Sequence, residues 1–266
     1  MKNYTHQKFT AGNYTDYFKS LIINFPGFQK FKKVNGSYLD IGCGSGTHIF
    51  SIAPYFKKIS FTGIDISEPN ISACNEALSN RHDRLRFDFI CDDFTEYKFN
   101  KNFVIVFSYS VFQLMDTFID DLLKQVWKLL EPNGYLVLSM PYKCPYNKFI
   151  NVLRGIFGLF RCSLFDNLLV EIAHIIYLKR FSRTFLRERM LYLDQVDNNL
   201  VDVKKTEALN RFWKLEFKQK TPSPSFIQSR HTTLILKKIE QGNSDSSISR
   251  FRQQACVKKP WCLLFQ

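Results

Sequence analysis

The chain has 266 residues, a length that fits one α/β domain with an insertion or two small domains. Because 45% of the residues are hydrophobic, the composition excludes an intrinsically disordered protein. The seven Cys residues are scattered without metal-ligand spacing, which predicts reduced thiols and, with no secretory segment at the N-terminus, a cytoplasmic protein without a bound metal. The net charge of +13 is consistent with nucleic acid, a membrane surface or an acidic substrate as a partner. It is equally consistent with a biased amino-acid composition that has no functional meaning.

Apolar positions near the N-terminus repeat at helical spacing and predict one helix that ends at Pro26-Gly27. These positions are Tyr14, Tyr17, Phe18, Leu21, Ile22 and Phe25. We assign residues 1–34 to an N-terminal helical cap.

A glycine-rich turn organises the next segment. A strand over 36–41 runs through Asp40 into three alternating glycines, and a helix follows over 47–56. Glycine suits this turn because a Cβ would block the approach of a ligand and because positive φ values are required. The free N–H groups at the start of the helix favour an anionic ligand group.

The second predicted strand, 59–65, ends in Asp65, which follows Gly46 by 65 − 46 = 19 residues. An acidic residue about 20 residues after such glycines is placed to accept hydrogen bonds from ribose hydroxyls. The alternative is that Asp65 caps the next helix. Because Ser67 and Pro69 supply their own start signal for that helix, we expect Asp65 to be free for a ligand.

Further strands are predicted over 84–90 and 103–107, and a helix carries the apolar positions between 122 and 130. Residues 131–134, Glu-Pro-Asn-Gly, predict a stop and a turn before a fifth strand over 135–141. The alternation of strands and helices predicts a doubly wound α/β fold with a parallel sheet and a ligand at the carboxyl ends of its strands.

The order of these features resembles the class I S-adenosylmethionine (SAM) methyltransferases of the small-molecule type. The resemblance lies in G-x-G-x-G after an acidic strand end, in Asp65, in Asp93-Phe94 after the third strand, and in the segment 130–136. It implies a Rossmann-like, seven-stranded, mostly parallel sheet. Residues 212–218 and 231–237 then look like its closing antiparallel pair.

The resemblance also implies the cofactor and its site. The glycine turn would hold the methionine carboxylate of SAM, Asp40 would order the turn or meet the methionine ammonium, and Asp65 would bind the ribose. Asp93 fits the position of the adenine-binding acid better than Asp92 does. The residues assigned to SAM are Asp40, Gly42, Cys43, Gly44, Gly46, Asp65, Ile66, Asp92, Asp93, Phe94 and Ser108.

Residues that face the methyl acceptor are harder to identify from the sequence, because methyl transfer depends mainly on aligning the donor with the acceptor and on excluding water, and neither needs a particular residue type. The candidates are Tyr14, Tyr17, Tyr109, Gln113 and His174. Gln113 alternatively caps a helix, and His174 alternatively is a core histidine. We expect His48 to be structural, leave His231 open, and assign no catalytic residue.

Residues 144–205 extend beyond the strands and helices that the resemblance covers and predict a helical insertion between strands 5 and 6, and the resemblance implies that this insertion is a substrate lid. Its two apolar stripes, beginning at Phe149 and Leu164, favour packing in a core. Residues 179–189 are basic and predict either a solvated face or contact with a membrane or an acidic substrate. The assigned regions are 35–143 (SAM-binding core), 144–205 (insertion), 206–240 (closing strands) and 241–266 (flexible tail).

The function predicted from the sequence is in-line transfer of a methyl group from SAM to a small, hydrophobic or amphipathic acceptor. One alternative is RNA or protein methylation, although no Asn-Pro-Pro-Tyr or Pro-Cys motif follows the fourth strand, and a nucleic-acid partner is therefore not expected. The other alternative is a non-catalytic SAM-binding protein that contacts a membrane surface peripherally. The sequence leaves the oligomeric state open.

Overall fold

The computed structural model describes residues 11–79, 81–159, 162–176, 183, 186–187, 196–221 and 229–240. Seven strands form one sheet, in the order β3-β2-β1-β4-β5-β7-β6. The strands are β1 (Gly36–Ile41), β2 (Ile59–Asp65), β3 (Phe87–Cys91), β4 (Phe103–Tyr109), β5 (Leu130–Pro141), β6 (Trp213–Lys220) and β7 (His231–Lys238).

Helices follow most of the strands and cover both faces of the sheet. The helices are α1 (Ala11–Asn24), α2 (Thr47–Ile52), α3 (Glu68–Ser79), α4 (Ile119–Leu129), α5 (Pro145–Leu159), α6 (Ser163–Ile176) and α7 (Glu207–Phe212). Short 3₁₀ turns cover Pro26–Lys32, Ala53–Tyr55, Arg84–Arg86 and Phe112–Leu114.

The direction of the strands determines which residues reach the functional edge. Strands β1 to β5 pair in parallel with their neighbours, whereas β7 pairs antiparallel with both β5 and β6. The carboxyl ends of β1 to β5 therefore share one edge with the first residue of β7, and His231 pairs there with Pro141. The predicted seven-stranded, mostly parallel sheet is confirmed.

Two hydrophobic clusters, one on each face of the sheet, form the core. Tyr38 and Leu39 are neighbours in β1, yet Tyr38 packs with Phe18 and Phe61 in one cluster while Leu39 packs with Leu122 in the other. This separation arises because successive side chains of a strand point to opposite faces. The core thus fixes the register of β1, and with it the position of the glycine turn.

Two predicted strand boundaries are wrong. Strand β3 begins at Phe87 rather than at residue 84, because Arg84–Arg86 form a 3₁₀ turn in which the Arg86 guanidinium donates hydrogen bonds to the carbonyls of Phe56 and Ile59. The predicted turn 131–134 lies inside β5, which begins at Leu130. Asn133 there adopts a φ of 60°, and the ladder with β4 shifts its register nearby.

The insertion contains α5 and α6, and α5 packs through its polar face. Asn147 is buried and donates to the carbonyls of Tyr142 and Arg230, at 2.7 and 2.9 Å. Asn151 and Arg154, one and two turns further along, both bond Asp197. The polar side chains of α5 therefore hold it to the domain.

Most of the described apolar side chains in the two stripes are exposed, and the expectation that the stripes pack in a core is wrong for these residues. Leu169 of α6 instead packs against a small cluster formed by Val170 and Leu186. The exposed apolar side chains are Phe149, Val152, Ile156 and Leu159 on α5, and Leu164, Leu168, Ile172 and Ile175 on α6.

Most of the basic segment 179–189 and the whole predicted tail 241–266 lie outside the described residues. Within that segment, Arg183 forms an ion pair with Glu171 at 2.6 Å, and Arg187 donates to Asn167 at 3.2 Å. Both described arginines therefore bind α6. In the part of the chain that the structure describes, no helix combines the length and the apolar character needed to cross a bilayer.

Gly42→Ala tests the packing of the turn on the sheet. Gly42 has a φ of +72°, and a Cβ there would lie 2.2 Å from Cγ2 of Val111. We expect the free energy of unfolding to fall by about 2–5 kcal/mol, because alanine would be strained in the left-handed conformation and its methyl group would also overpack the site.

The matched control is Gly44→Ala, because Gly44 has a φ of +55° but no atom lies within 4 Å of the added Cβ. This variant should lose only about 1–2 kcal/mol, the cost of the left-handed conformation alone. Urea denaturation followed by circular dichroism measures both values, and equal losses would contradict the packing argument.

Candidate active site

The glycine turn is fastened to the end of β2. The N–H groups of Gly42 and Cys43 both donate to the carbonyl of Ile64, at 2.8 and 3.2 Å. Gly42, Gly44 and Gly46 have φ values of 72°, 55° and 71°. Left-handed backbone at every second residue accounts for the spacing G-x-G-x-G, because only glycine adopts it without strain.

Asp65 holds this turn directly. Its Oδ2 accepts a hydrogen bond from the N–H of Gly44 at 2.8 Å, and its Oδ1 accepts one from the N–H of Ser67 at 2.9 Å. The expectation that Asp65 is free for a ligand is therefore wrong: the carboxylate joins the turn to the start of α3. Each carboxylate oxygen can accept a second hydrogen bond.

Asp40 is buried beside the turn, with 2% of its surface exposed. Burial, and then the negative charge of Asp65, raise the pKa of Asp40 well above its usual value. Among the described residues no hydrogen-bond donor or cation is placed against its carboxyl group. Since an isolated buried carboxylate is strongly disfavoured, this position suits a positively charged ligand group.

Gly44 faces open space, since a Cβ built there would meet no atom within 4 Å. The turn thus offers a gap that borders Asp65. Ile66, next in the chain, has 59% of its surface exposed and presents an apolar side chain at the same edge.

The acids that follow β3 are held in a tight turn. Asp93 Oδ1 accepts hydrogen bonds from the N–H and the hydroxyl of Thr95, at 2.8 and 2.7 Å. Asp92 is exposed, and its N–H donates to the carbonyl of Asp65 at 3.2 Å, which connects the ends of β2 and β3. Phe94 is buried and packs against Phe112.

The end of β4 lies next to the glycine turn, because Val111 fills the space beside Gly42. Ser108 is buried, and its hydroxyl donates to the carbonyl of Ile41 at 3.4 Å. Tyr109 lies between Phe18 and His231, with ring centroids 5.0 and 6.0 Å away.

Of the predicted acceptor-facing residues, Tyr109 and Gln113 come together at the end of β4, and Gln113 is buried. Tyr17 lies on α1 against Phe18, its hydroxyl is 3.5 Å from Oε1 of Gln219 in β6 and hydrogen-bonds Thr233 in β7, and burial raises its pKa. His174 is buried in α6. Tyr14 belongs to α1, but its side chain lies outside the described residues.

His48 has a structural environment. Its ring stacks on Phe107 with centroids 4.0 Å apart, and its Nε2 lies 2.8 Å from the Tyr38 hydroxyl. Burial lowers the pKa of His48 to about 3, so the ring is neutral near physiological pH.

The sequence analysis missed the segment 197–199, which holds the loop after β4. Asn199 Nδ2 donates to the carbonyls of Phe112, Met115 and Thr117, at 3.0, 3.1 and 2.9 Å. The backbone N–H groups of Asn198 and Asn199 both donate to the carbonyl of Gln113. In the sequence this segment is a short run of polar residues. A solvent-exposed loop has the same composition, so the sequence alone does not reveal the buried role of the segment.

Asp197 connects the same segment to the insertion and to β7. Its carboxylate accepts from Arg154 at 3.1 Å and from the Ser229 hydroxyl at 2.6 Å. Burial raises the pKa of Asp197, and these two partners oppose the rise. One carboxylate thus joins α5 to the residues that lead into β7.

Comparison with known proteins gives the following matches. The family described as "Methyltransferase domain" matches residues 39–134. Carboxy-S-adenosyl-L-methionine synthase from Pasteurella multocida is 26% identical over 113 residues, 42% of this chain and 47% of that protein. The same enzyme from Shewanella pealeana is 31% identical over 122 residues, 44% of this chain and 50% of that protein. This chain therefore spans about half the length of these curated relatives.

Solved structures show the same fold over more of the chain. The plantazolicin methyltransferase BpumL in complex with S-adenosylhomocysteine (SAH) has a TM-score of 0.53 at 18% identity, covering 84% of either chain. PKMT2 from Rickettsia typhi in complex with SAH has a TM-score of 0.55 at 16% identity, covering 80% of this chain and 52% of that one.

The match over 39–134 begins inside β1 and takes in the glycine turn, β2, β3, β4 and the first residues of β5. Residues 39–134 therefore match the methyltransferase domain family, and the chain has the Rossmann-like fold of the SAH-bound methyltransferase structures.

Proposed function

We propose that this protein is a SAM-dependent methyltransferase that methylates a small, hydrophobic or amphipathic acceptor by in-line displacement. The observation that carries the proposal is the glycine turn bound to Asp65, with the carboxyl group of Asp40 buried beside it and without a hydrogen-bond partner among the described residues. When bound, SAM supplies a methyl group on a positively charged sulfur.

The residues present fit this cofactor. Asp40 would bind the methionine ammonium, because that cation would place a positive charge next to the buried carboxyl group. Asp65 would accept hydrogen bonds from the ribose through the remaining lone pairs of its oxygens. Ile66 would pack on the adenine, and Asp92 or Asp93 would accept from its amino group. Gly44 leaves room for the ligand beside Asp65.

The outward apolar stripes of α5 and α6 support a hydrophobic or amphipathic acceptor. A helix that packs through Asn147, Asn151 and Arg154 presents its apolar face to whatever approaches from outside. We propose that the insertion guides an apolar molecule toward the end of β4 and covers it there. Covering the acceptor would exclude water during methyl transfer.

Asp65→Ala tests the cofactor assignment. Losing the ribose acceptor and the bond to Gly44 should weaken the binding of SAM and SAH by about 1–3 kcal/mol. Isothermal titration calorimetry of the purified chain measures the change. Asp88→Ala is the matched control, because Asp88 is an exposed acid of β3 outside the proposed site. A folded wild-type protein that binds neither compound would overturn the proposed function.

Asp40 should make SAM binding depend on pH. Its pKa is raised in the free protein, and a bound ammonium would lower that pKa, so binding releases a proton between the two values. Affinity should therefore increase with pH across this range. Calorimetry in two buffers of different ionisation enthalpy measures the released proton. Asp40→Asn should abolish that release, and an unchanged release in this variant would contradict the assignment.

The acceptor class can be tested with methyl-labelled SAM and a cell extract separated into small molecules, RNA and protein. We expect label in small molecules that partition into organic solvent. Ile156→Ser and Leu168→Ser should raise the KM for that acceptor without changing SAM affinity, because both side chains are exposed in the apolar stripes. Leu85→Ser, at another exposed apolar position, is the control. Label confined to RNA or protein would overturn the small-molecule acceptor.

A further inference from the structure

Ser110, the first residue after β4, has an unusual backbone conformation. Its φ of 60° is left-handed, a value that only Asn133 shares among the non-glycine residues the structure describes. Its N–H donates to the carbonyl of Ser139 in β5 at 2.9 Å, which keeps it in place. Such conformations persist where the surroundings enforce them, and they concentrate at functional sites. Ser110 is also partly exposed, so a ligand can reach it.

Three side chains form a chain of hydrogen bonds at this point. Gln113 Nε2 donates to the Ser110 hydroxyl oxygen at 2.7 Å, and this oxygen lies 3.4 Å from Nε2 of His231. The Ser229 backbone hydrogen-bonds the His231 ring as well. If Nδ1 carries the ring proton and donates to the Ser229 backbone, Nε2 is an acceptor and the Ser110 hydroxyl can donate to it.

His231 is buried and neutral. Burial, followed by the positive charge of Arg154, lowers its pKa to about 4. The ionisable side chains around it are Tyr109 from β4, Arg154 from α5 and Asp197, which is paired with Arg154. A neutral imidazole next to a hydroxyl group can take up a proton.

Gln113 Oε1 is buried and has no hydrogen-bond partner among the described residues. Buried acceptors are nearly always paired, so this oxygen is suited to a donor that a ligand brings. The backbone of Gln113 is fixed by its bonds to Asn198 and Asn199. An oriented, unpaired oxygen therefore stands next to Ser110 at the carboxyl end of β4.

We propose, on the basis of the proposed function, that Ser110, Gln113 and His231 form the acceptor site, and that the reacting atom of the acceptor is an oxygen or nitrogen that carries a proton. Gln113 Oε1 and Ser110 bind the N–H or O–H group. As the methyl carbon bonds to the acceptor atom and leaves the sulfur, the acceptor proton passes to the Ser110 oxygen. The proton of Ser110 passes to Nε2 of His231. Ser110 is the catalytic hydroxyl group, and His231 is the residue that positions and deprotonates it.

Three neutral probes test the acceptor chemistry with the full chain and methyl-labelled SAM near neutral pH. We expect methyl transfer to 4-decylphenol or 4-decylaniline, which carry O–H and N–H groups. We expect none to N,N-dimethyl-4-decylaniline, whose nitrogen has no proton. Transfer to the tertiary aniline at a similar rate would overturn the proposal, and so would a SAM-bound protein that methylates none of the probes. Failure to bind SAM would instead overturn the proposed function.

Ser110→Gly separates catalysis from folding. Glycine adopts the left-handed backbone without strain, so the melting temperature should stay equal or rise. SAM affinity should stay within about twofold, and kcat should fall by about 100-fold or more, the usual effect of losing proton transfer. Asn133→Gly is the matched control, since it relieves the same φ at the opposite end of the sheet. A kcat for Ser110→Gly within tenfold of wild type would contradict the role of the hydroxyl.

His231→Gln adds a readout that a structural role would not change. Wild-type kcat should be flat between about pH 6 and about pH 8, because His231 is neutral throughout this range. Without the imidazole, the acceptor proton must leave to solvent, so kcat of the variant should rise with pH. A flat profile for the variant would show that His231 takes no proton from Ser110.

Discussion

The carboxyl edge of the sheet depends on the fastening of the glycine turn to β2. Three consecutive N–H groups, those of Gly42, Cys43 and Gly44, are bound to the last two residues of that strand. Asp65 supplies the third of these bonds with its side chain and also fixes the start of α3. The residue proposed to bind the ribose is thus the residue that shapes the turn, and the proposed site would link cofactor binding to local structure through one carboxylate.

The same edge contains two regions with different electrostatic roles. Around the turn, no cation from the described part of the chain pairs with the buried carboxyl of Asp40, and the negative charge of Asp65 lies close enough to raise the pKa of Asp40. Around the end of β4, neutral groups predominate: the His231 ring, the Ser110 hydroxyl and the Gln113 amide. This division suits a charged cofactor on one side and a largely apolar acceptor on the other, because buried charges require partners.

Local patterns predicted β1 and β2 to the residue, because each is a largely apolar segment with a clear end: Gly42 follows β1, and β2 ends in Asp65. They also predicted that Asp40 and Asp65 lie at the ends of these strands and that the glycines form the turn, because the spacing of these residues is a property of the turn itself. The same method failed at residue 84, where Arg86 bonds carbonyls 27 and 30 residues away. It failed again for the faces of α5, since an apolar stripe predicts burial while the partners of Asn147 and Arg154 lie up to 83 residues away. Asn199 is the extreme case, because its role rests wholly on carbonyls 82 to 87 residues earlier.

The reversed strand β7 also sets an order of assembly. It enters the sheet between β5 and β6 although the ribosome makes it after both. Among the described strands β6 pairs only with β7, so during translation none of them can pair with β6 until β7 emerges. Strands β1 to β5, which carry the turn, Asp40 and Asp65, are complete once the ribosome has made residue 141. His231 is made later, at the start of β7. A nascent chain can therefore form the glycine turn with Asp40 and Asp65 well before it carries His231 at the same edge.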